Sequence, residues 1–395
     1  MKVAMITPYL PPRLGGREFW VDWMSQELAR QGVEVVVFTS NVFDYHNSSR
    51  NLEVCHVNGV KYVKLPVLWD IDKYSTPVVW PPFWALQKEN PDIVHIHEPN
   101  LFLTTPLAAY AHFIMRKKLV THCYSDPFDW PGQGWLFKTA MTIYSWLYHW
   151  KLQMADRVVA ISEEYRTQSR HLPRWRAKTT LLPMCLAPVF SKLDEECVAG
   201  FRREKDFGPE PIVLYVGRLD TRKGVDVLIR TMAEVEGAKC VIVGKGEQHT
   251  EEALRRLVAE LGLENKVRFM GRAEQAELNF YYNSAHMLVL PTVDRSAETF
   301  GAVLLEAWAA GRPVISADNP APSKLIKESG GGLLVPRGDS HALAEAIQSL
   351  VNDPQAAQKL GANGQAFAQT HFSFPATAVQ LIQMYQDLLA AKKPS

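Results

Sequence analysis

The fold of this chain is decided by Glu298-Thr-Phe-Gly-Ala-Val-Leu-Leu-Glu306, continued by Ala307-Trp-Ala-Ala-Gly-Arg-Pro-Val-Ile-Ser316. The Phe-Gly step opens an apolar, helix-forming run, and Gly311 ends it. The Arg-Pro that follows prevents the helix from continuing, and Val-Ile then begins a buried strand. This layout predicts Glu298 in the loop before a helix and Glu306 about two turns inside that helix.

The two carboxylates suit a ligand that is rich in hydroxyl groups. A carboxylate can accept hydrogen bonds from two adjacent hydroxyls, and the exposed amides near Phe300 and Gly301 would point at an incoming anion or hydroxyl. On spacing alone, a pair of glutamates is better explained as two solvated side chains. The Phe-Gly start and the Ala-Gly-Arg-Pro-Val-Ile finish make the whole stretch far more specific than the pair.

This stretch resembles the EX7E motif of retaining GT-B glycosyltransferases, specifically those of glycosyltransferase family 4. The resemblance implies an α/β fold with two Rossmann-like domains, each a doubly wound parallel sheet, facing a central cleft. In that family the second glutamate holds the ribose hydroxyls of a nucleotide-sugar donor, a role that falls here on Glu306. The first glutamate and the amides after it address the transferred sugar, which implicates Glu298, Phe300 and Gly301.

Length and pattern agree with two domains, because 395 residues exceed what one hydrophobic core usually serves. Strand-like and helix-like segments alternate, as in parallel sheets with helical crossovers. We expect an acceptor-binding domain at 1–190 and a donor-binding domain at 191–374, with the C-terminal helix 375–395 joined to the first. The charged, proline-flanked segment Asp194–Pro211 is the expected boundary region.

Composition excludes several classes of protein. A net charge of +1 gives no support to nucleic-acid binding. The five cysteines are scattered and form no metal-binding spacing, which fits a reducing cytoplasm better than a disulfide framework. The N-terminal stretch is broken too early by Pro8 to resemble a signal peptide, so we expect a cytoplasmic protein.

A second motif lies at Val216-Gly-Arg-Leu-Asp-Thr-Arg-Lys-Gly-Val225, between a predicted strand and a predicted helix. Arg218 and Lys223 can converge there on a diphosphate, helped by the helix N-terminus. The alternative is two solvated cations in a loop. The segment is similar to the GRL...KG motif of the family, which implies that both residues stabilise the leaving diphosphate.

Two glycine-containing loops and one strand complete the predicted donor site. Gly15 and Gly16 follow the first strand and would let the backbone approach a phosphate, although turns use Gly-Gly constantly. The family closes this loop over the donor phosphates. Val267–Arg272, which contains Phe269, resembles the family's strand beside the nucleotide base. Val243–Glu247 is similar to its glycine turn, and a generic turn would look identical.

Histidines mark the first half of the chain. His122 ends a predicted strand, and the family commonly places a histidine there against a sugar hydroxyl; a structural histidine is nearly as well supported. His95 and His97 share one face of a strand and could chelate a metal. No third ligand is apparent in the sequence, and the family carries such histidines without a metal, so we interpret them as structural or as lining a cleft.

Asp70-Ile-Asp72 is formally a DxD sequence, which in metal-dependent glycosyltransferases of the other common fold holds a divalent cation. It lies far along the chain from the glutamate pair, and we interpret it as a surface loop. We therefore expect no metal and no cofactor. Arg218, Lys223 and helix N-termini would neutralise the diphosphate instead.

The predicted activity is metal-independent, retaining transfer of a sugar from a nucleotide-diphosphate sugar to a hydroxyl acceptor, in glycan, polysaccharide or glycolipid assembly. The acceptor would be a saccharide or a lipid-linked saccharide. A nucleotide-sugar epimerase of the same architecture and a catalytically silent nucleotide-sugar binding module are the alternatives. The intact Arg218, Lys223, Glu298 and Glu306 argue against the silent module.

The segment Asp129–Lys151 is unusually aromatic and carries only Lys138 between its charged ends. It predicts an interfacial helix that makes peripheral contact with a membrane, a helix buried against the first domain, or a helix that lines an acceptor cleft. Twelve uncharged residues are too few to span a bilayer. Its polar face lacks the many basic residues that interfacial helices usually carry.

Overall fold

The computed structural model describes residues 1–11, 15–42, 48–71, 76–79, 82–98, 103–126 and 135–391. The chain divides into two compact units, one of residues 1–184 with the C-terminal segment from Phe374, and one of residues 185–373. The division lies six residues before the boundary expected from the sequence. The C-terminal helix belongs to the first unit, and its Tyr385 hydroxyl lies 2.5 Å from Nδ1 of His95.

The sheets are built mostly from the apolar runs that the sequence indicates. In the first unit the strands are β1 Lys2–Ile6, β2 Glu34–Ser40, β3 Glu53–Val57, β4 Val60–Leu65, β5 Val67–Ile71, β6 Thr76–Val79, β7 Ile93–Glu98, β8 Lys118–Cys123, β9 Arg157–Ala160 and β10 Thr179–Leu181. In the second they are β11 Ile212–Val216, β12 Lys239–Val243, β13 Val267–Gly271, β14 Met287–Leu290, β15 Val314–Ala317 and β16 Gly332–Val335.

Helices connect these strands and flank the sheets. They are α1 Gly16–Arg30, α2 Phe83–Glu89, α3 Thr104–Ala109, α4 Trp135–Met154, α5 Glu163–Gln168, α6 Glu195–Glu204, α7 Val225–Met232, α8 Gln248–Glu260, α9 Gln275–Ser284, α10 Ala302–Ala309, α11 Pro320–Ser329, α12 Ser340–Asn352, α13 Pro354–His371 and α14 Phe374–Ala390. A π-helical turn, Tyr110–Ile114, extends α3.

Both large sheets are doubly wound. The first has the strand order β10-β9-β8-β7-β1-β2-β4-β3, parallel except for β3, which pairs antiparallel with β4. The second has the order β13-β12-β11-β14-β15-β16 and is parallel throughout. The predicted fold of two Rossmann-like parallel-sheet domains is therefore confirmed.

Two local expectations were wrong. The segment expected as a boundary region contains α6, which packs against α9 inside the second unit. Asp70 lies in β5, paired with Pro77 of β6, and therefore belongs to a two-stranded sheet and not to a loop. Asp72, the second aspartate of the DxD sequence, lies outside the described residues.

Within the described ranges, no helix combines the length and the apolar character needed to cross a bilayer.

Close packing between α10 and α13 gives a test of the second unit. A Cβ on Gly364 would lie 2.2 Å from Cδ1 of the fully buried Trp308. We expect Gly364→Ala to lower the free energy of unfolding by about 1–3 kcal/mol because the core has no room for the methyl group.

The matched control is Gly200→Ala in the interior of α6, where nothing lies within 4 Å of the added Cβ. There we expect stabilisation of up to about 1 kcal/mol, because alanine is the better helix former. Chemical denaturation of both variants checks the pair, and equal effects would contradict the described packing.

Candidate functional site

The strand order of the second unit fixes where its ligand site should lie. From β11 the chain winds outward through β12 and β13, and from β14 it winds the other way through β15 and β16. The loops that follow β11 and β14 therefore diverge at the point where the strand order reverses. In open α/β sheets ligands bind at that point, outside the carboxyl ends of the strands.

An ion pair joins the two loops at this point. Nζ of Lys223, after β11, lies 2.7 Å from Oε2 of Glu298, after β14, and both side chains are largely buried. The same ammonium donates to the carbonyl oxygen of Ala297 at 2.6 Å. Two residues that are 75 positions apart in the chain are thus in direct contact.

Each loop is held in place by an aspartate-capped 3-10 turn. The Asp220 carboxylate accepts from the Arg222 amide at 2.9 Å, and the Asp294 carboxylate accepts from the Ser296 amide at 2.8 Å. The carbonyl oxygen of Arg222 in turn accepts from the amides of Val293 and Asp294, at 3.0 and 3.2 Å. The backbone therefore fixes the two loops to each other, and the ion pair does not depend on side chains alone.

Glycine begins the helix after each loop. Gly224 (φ 69°) precedes α7 and Gly301 (φ 91°) precedes α10, and neither helix has a side-chain cap. A Cβ on Gly224 would lie 2.2 Å from the carbonyl oxygen of Pro291, so no other residue fits there. Two helix N-termini without a side-chain cap at one point of the sheet suit an anionic ligand.

Arg218 lies in the loop after β11, and its side chain is exposed. Its carbonyl oxygen accepts from the hydroxyl of the buried Tyr215 at 2.7 Å, which anchors the backbone and leaves the guanidinium toward solvent. Burial alone would raise the pKa of the Asp220 carboxyl, but the hydrogen bonds and charge of Arg222 and, behind them, the charge of Arg218 hold that pKa below its ordinary value.

Glu306 lies on α10 as predicted, but little more than one turn after the helix begins at Ala302, and not two turns inside it. It also has a partner that the sequence did not indicate. The hydroxyl of Tyr282, on α9, donates to Oε2 of Glu306 at 2.5 Å. Burial raises the pKa of the Glu306 carboxyl to about 7, and the Tyr282 hydrogen bond offsets part of that rise. Near neutral pH this carboxyl is therefore divided between its ionised and protonated forms.

The aromatic residues near the motif serve partly as core. Phe300 is buried, and its ring packs edge-to-face against Phe372 with centroids 5.8 Å apart. Phe269 is half-buried on β13, two strands away from β11, with the Arg255 guanidinium 4.7 Å from its ring centroid. The structure therefore does not bring Phe269 into contact with the ion pair.

Three of the predicted site residues belong to the first unit. Gly15 precedes α1 with an extended φ of −172°, and Gly16 is the first residue of that helix. Next to them Arg17 Nη2 pairs with Glu18 Oε1 at 2.6 Å. His122 is the next-to-last residue of β8 and is fully buried.

His122 is the third histidine of a cluster that sequence reasoning did not assemble. It pairs in register with His97 across β7 and β8, and one ring nitrogen from each of His95, His97 and His122 lies within 4.8 Å of the others. Burial lowers the pKa of His95 to about 3 and those of the other two well below 6.5, so all three rings are neutral.

Some of the ring nitrogens in this histidine cluster have hydrogen-bond partners. The Tyr124 hydroxyl lies 3.0 Å from Nδ1 of His97 and 3.4 Å from Nδ1 of His122. Nε2 of His95 and Nε2 of His122 are buried without a hydrogen-bond partner in the part of the chain that the structure describes. Neutral imidazoles are potential metal ligands. The planes of His95 and His122, however, lie only 8° apart, which is a stacked arrangement.

A buried ion pair beside the histidines was also missed. Nζ of Lys151, on α4, lies 2.7 Å from Oε1 of Glu98, at the end of β7, and 2.9 Å from Oγ1 of Thr104. Both charged side chains are almost completely buried. The only sequence signal was a charged residue at the end of an apolar helix and another at the end of an apolar strand.

Comparisons with known proteins agree with this geometry. The first unit matches the Glycosyl transferase 4-like domain over residues 15–185, and the second matches Glycosyl transferases group 1 over residues 200–367. A D-inositol 3-phosphate glycosyltransferase of Corynebacterium glutamicum (strain R) is 27% identical over 429 aligned residues, covering 99% of this chain and 97% of the relative.

Solved structures share the whole fold. Sucrose-phosphate synthase from Thermosynechococcus elongatus superposes with a TM-score of 0.79 at 25% identity, covering 99% of this chain and 100% of the other. Anabaena HepE in complex with UDP-glucose has a TM-score of 0.75 at 19% identity, covering 98% of this chain and 100% of the other, and shares the fold.

The sheet topology and these matches define the chain as a glycosyltransferase of the GT-B fold. It is of the family 4 type, with the 4-like domain in the first unit and the group 1 domain in the second.

The Lys223–Glu298 pair can be tested by a double-mutant cycle on the free energy of unfolding. We expect Lys223→Met to cost about 1–3 kcal/mol because it leaves a largely buried carboxylate unpaired. Adding Glu298→Gln should recover part of that cost, with a coupling of at least about 1 kcal/mol. The more exposed Asp220–Arg222 pair is the control and should couple by less than about 1 kcal/mol. Purely additive effects at Lys223 and Glu298 would contradict the pairing.

The raised pKa of Glu306 predicts a pH dependence of stability. The folded pKa of about 7 exceeds the ordinary value of 4.5, so the folded state binds more protons between these values. The free energy of unfolding should therefore fall as the pH rises from about 4.5 to 7, by up to about 3 kcal/mol. Denaturant titrations of wild type and Glu306→Gln check this. The variant should lose that slope, and parallel profiles would contradict the buried carboxyl.

Proposed function

We propose that the chain is a retaining, metal-independent glycosyltransferase that moves a sugar from a nucleotide-diphosphate sugar to a hydroxyl acceptor, in glycan, polysaccharide or glycolipid assembly. The observation that carries the proposal is the Lys223–Glu298 pair at the switch point of the second sheet. Helices α7 and α10 begin next to this pair, each after a glycine and without a side-chain cap. An ammonium group, a carboxylate and two helix N-termini thus occur together, as a ligand with both phosphates and hydroxyls requires.

The diphosphate is bound by Arg218, Lys223 and the N-termini of α7 and α10. Lys223 carries three N–H donors, of which two are used on Glu298 and Ala297, so one is left for a phosphate oxygen. Arg218 has an exposed guanidinium that can bind phosphate oxygens in pairs. No metal is required in this scheme because these donors already oppose the charge of the leaving group.

Glu306 binds the ribose. Its carboxylate can accept from both hydroxyls of a ribose diol, and Tyr282 orients it through the hydrogen bond at 2.5 Å. The ionised form is the one that accepts two hydrogen bonds, so donor binding lowers the pKa of Glu306 from about 7. Phe269 is proposed beside the base, on the edge strand β13.

The transferred sugar is addressed by Glu298 and by the amides of Phe300 and Gly301. From the first unit, Gly15 and Gly16 are proposed to approach the donor phosphates. Nε2 of His122, which finds no partner among the described residues, is the ring nitrogen proposed for a sugar hydroxyl.

The reaction follows from these roles. The bond between the anomeric carbon and the diphosphate oxygen breaks, and the sugar passes through an oxocarbenium-like transition state. The acceptor hydroxyl attacks from the same face that the diphosphate leaves, and its proton passes to the leaving phosphate. Arg218, Lys223 and the helix N-termini stabilise the charge that develops on the diphosphate, which is the main source of catalysis.

Thermal unfolding with UDP, GDP and ADP tests the donor site. One of these nucleotides at ~100 times its dissociation constant should stabilise the wild type by about 2.7 kcal/mol. That is roughly 5–10 °C for a domain of this size. Lys223→Ala and Glu306→Ala should abolish most of the shift, because they remove a phosphate donor and the ribose acceptor.

Exposed Lys327→Ala on α11 is the control and should keep the full shift. If no nucleotide shifts the wild type at millimolar concentration, with or without magnesium, the proposal fails. A shift that appears only with magnesium would overturn metal independence.

A further inference from the structure

The first unit exposes a continuous group of large apolar side chains, here called the aromatic patch: Phe113, Ile114, Ile143, Trp146 and Trp150. Four of them are more than half exposed, at 53% for Phe113, 67% for Ile114, 54% for Ile143 and 66% for Trp146. The rings of Phe113 and Trp150 lie 6.0 Å apart and near parallel, which joins the π-helical turn to α4. Grouped exposure of this kind marks an interaction surface.

Helix α4 has one face that is buried in the first unit and an opposite face that exposes apolar side chains. Its inner face is anchored by Tyr148 and Lys151, which are fully buried and bind Cys123 and Glu98. Its outer face carries Ile143, Trp146 and Trp150, which recur at spacings of three and four residues. The outer residues are therefore held in place by a rigid inner face and are not a loosely packed core.

The two chain segments that carry the aromatic patch contain basic residues and no acidic ones. The sequence has no Asp or Glu from Leu103 to Ser125 or from Trp135 to Ala155. Arg116 and Lys138 are exposed, and Lys117 is half-exposed beside Arg116. An apolar surface that is bordered by cations and contains tryptophan fits the headgroup region of an anionic bilayer.

We propose that the aromatic patch docks the protein on an anionic lipid surface. The occupant is a bilayer rather than a second copy, because a symmetric contact would bring together two copies of segments that contain basic residues and no acidic ones. The helix lies on the surface and does not cross it. Of the segment expected at Asp129–Lys151, residues 129–134 lie outside the described residues, and α4 supplies the rest.

This proposal goes beyond the proposed function and does not depend on it, because vesicles that contain no sugar test it without turnover. The proposal also implies that a lipid-linked acceptor would approach the first unit from the membrane surface. The inner face of α4 holds Glu98 and Lys151 at the carboxyl end of β7, so the docking surface and that end of the first sheet share one helix. Transfer of a sugar to a lipid-linked hydroxyl is tested separately, in an activity assay, so a failure of that activity and a failure of vesicle binding can be told apart.

Co-sedimentation of the full chain with vesicles tests the proposal, using phosphatidylcholine alone and phosphatidylcholine mixed with phosphatidylglycerol. We expect binding to the anionic vesicles, weakened by raised salt. Combining Ile143→Ser with Trp146→Ser should lower the binding constant at least about tenfold, because the apolar contact is lost. Lys138→Glu should lower it about fivefold or more.

Val379→Ser on α14 is the matched control, since it removes an apolar side chain that is 59% exposed in the same unit but outside the patch. It should bind as the wild type does, and circular dichroism should show every variant folded. The proposal is overturned if the wild type leaves anionic vesicles unbound, or if it binds neutral vesicles equally well. It is also overturned if the patch substitutions instead abolish a concentration-dependent dimer in size-exclusion chromatography.

Discussion

The candidate site depends on one constraint, the contact between the loops that follow β11 and β14. Doubly wound topology brings these loops to the same point of the sheet, and the Lys223–Glu298 ion pair at 2.7 Å closes them onto each other. Gly224 is obligatory there because a Cβ would collide with the carbonyl oxygen of Pro291. Without that close approach, α7 and α10 would not both begin beside the pair.

The two glutamates of the motif have different electrostatic environments, which suits different tasks. Glu298 lies against an ammonium group, with Nζ of Lys223 2.7 Å from its Oε2. Glu306 lies against a tyrosine hydroxyl in a buried setting that raises its pKa to about 7. One carboxylate is thus held by a cation beside the proposed sugar, and the other responds to the hydroxyls it is proposed to bind. Because the two glutamates are eight residues apart, Glu298 lies in the loop before α10 and Glu306 lies on α10 itself.

The sequence was sufficient to predict most of the strands and helices, but not which side chains contact each other. Apolar runs and glycine signals located most of the strands, and the loop-then-helix placement of Glu298 and Glu306 was correct because it depends on local propensity. Tyr282 was missed because its contact with Glu306 is set by the packing of α9 on α10. His122 could not be joined to His95 and His97 until the register of β7 and β8 was known.

Hydrogen–deuterium exchange with a saturating nucleotide tests the central claim most directly, because it locates the bound ligand along the chain. The account predicts slower exchange in 217–226 and in 298–304, where the amides of two helix N-termini would face the phosphates. Unchanged exchange in both segments, together with protection elsewhere in the chain, would contradict a donor site at the switch point of the second sheet.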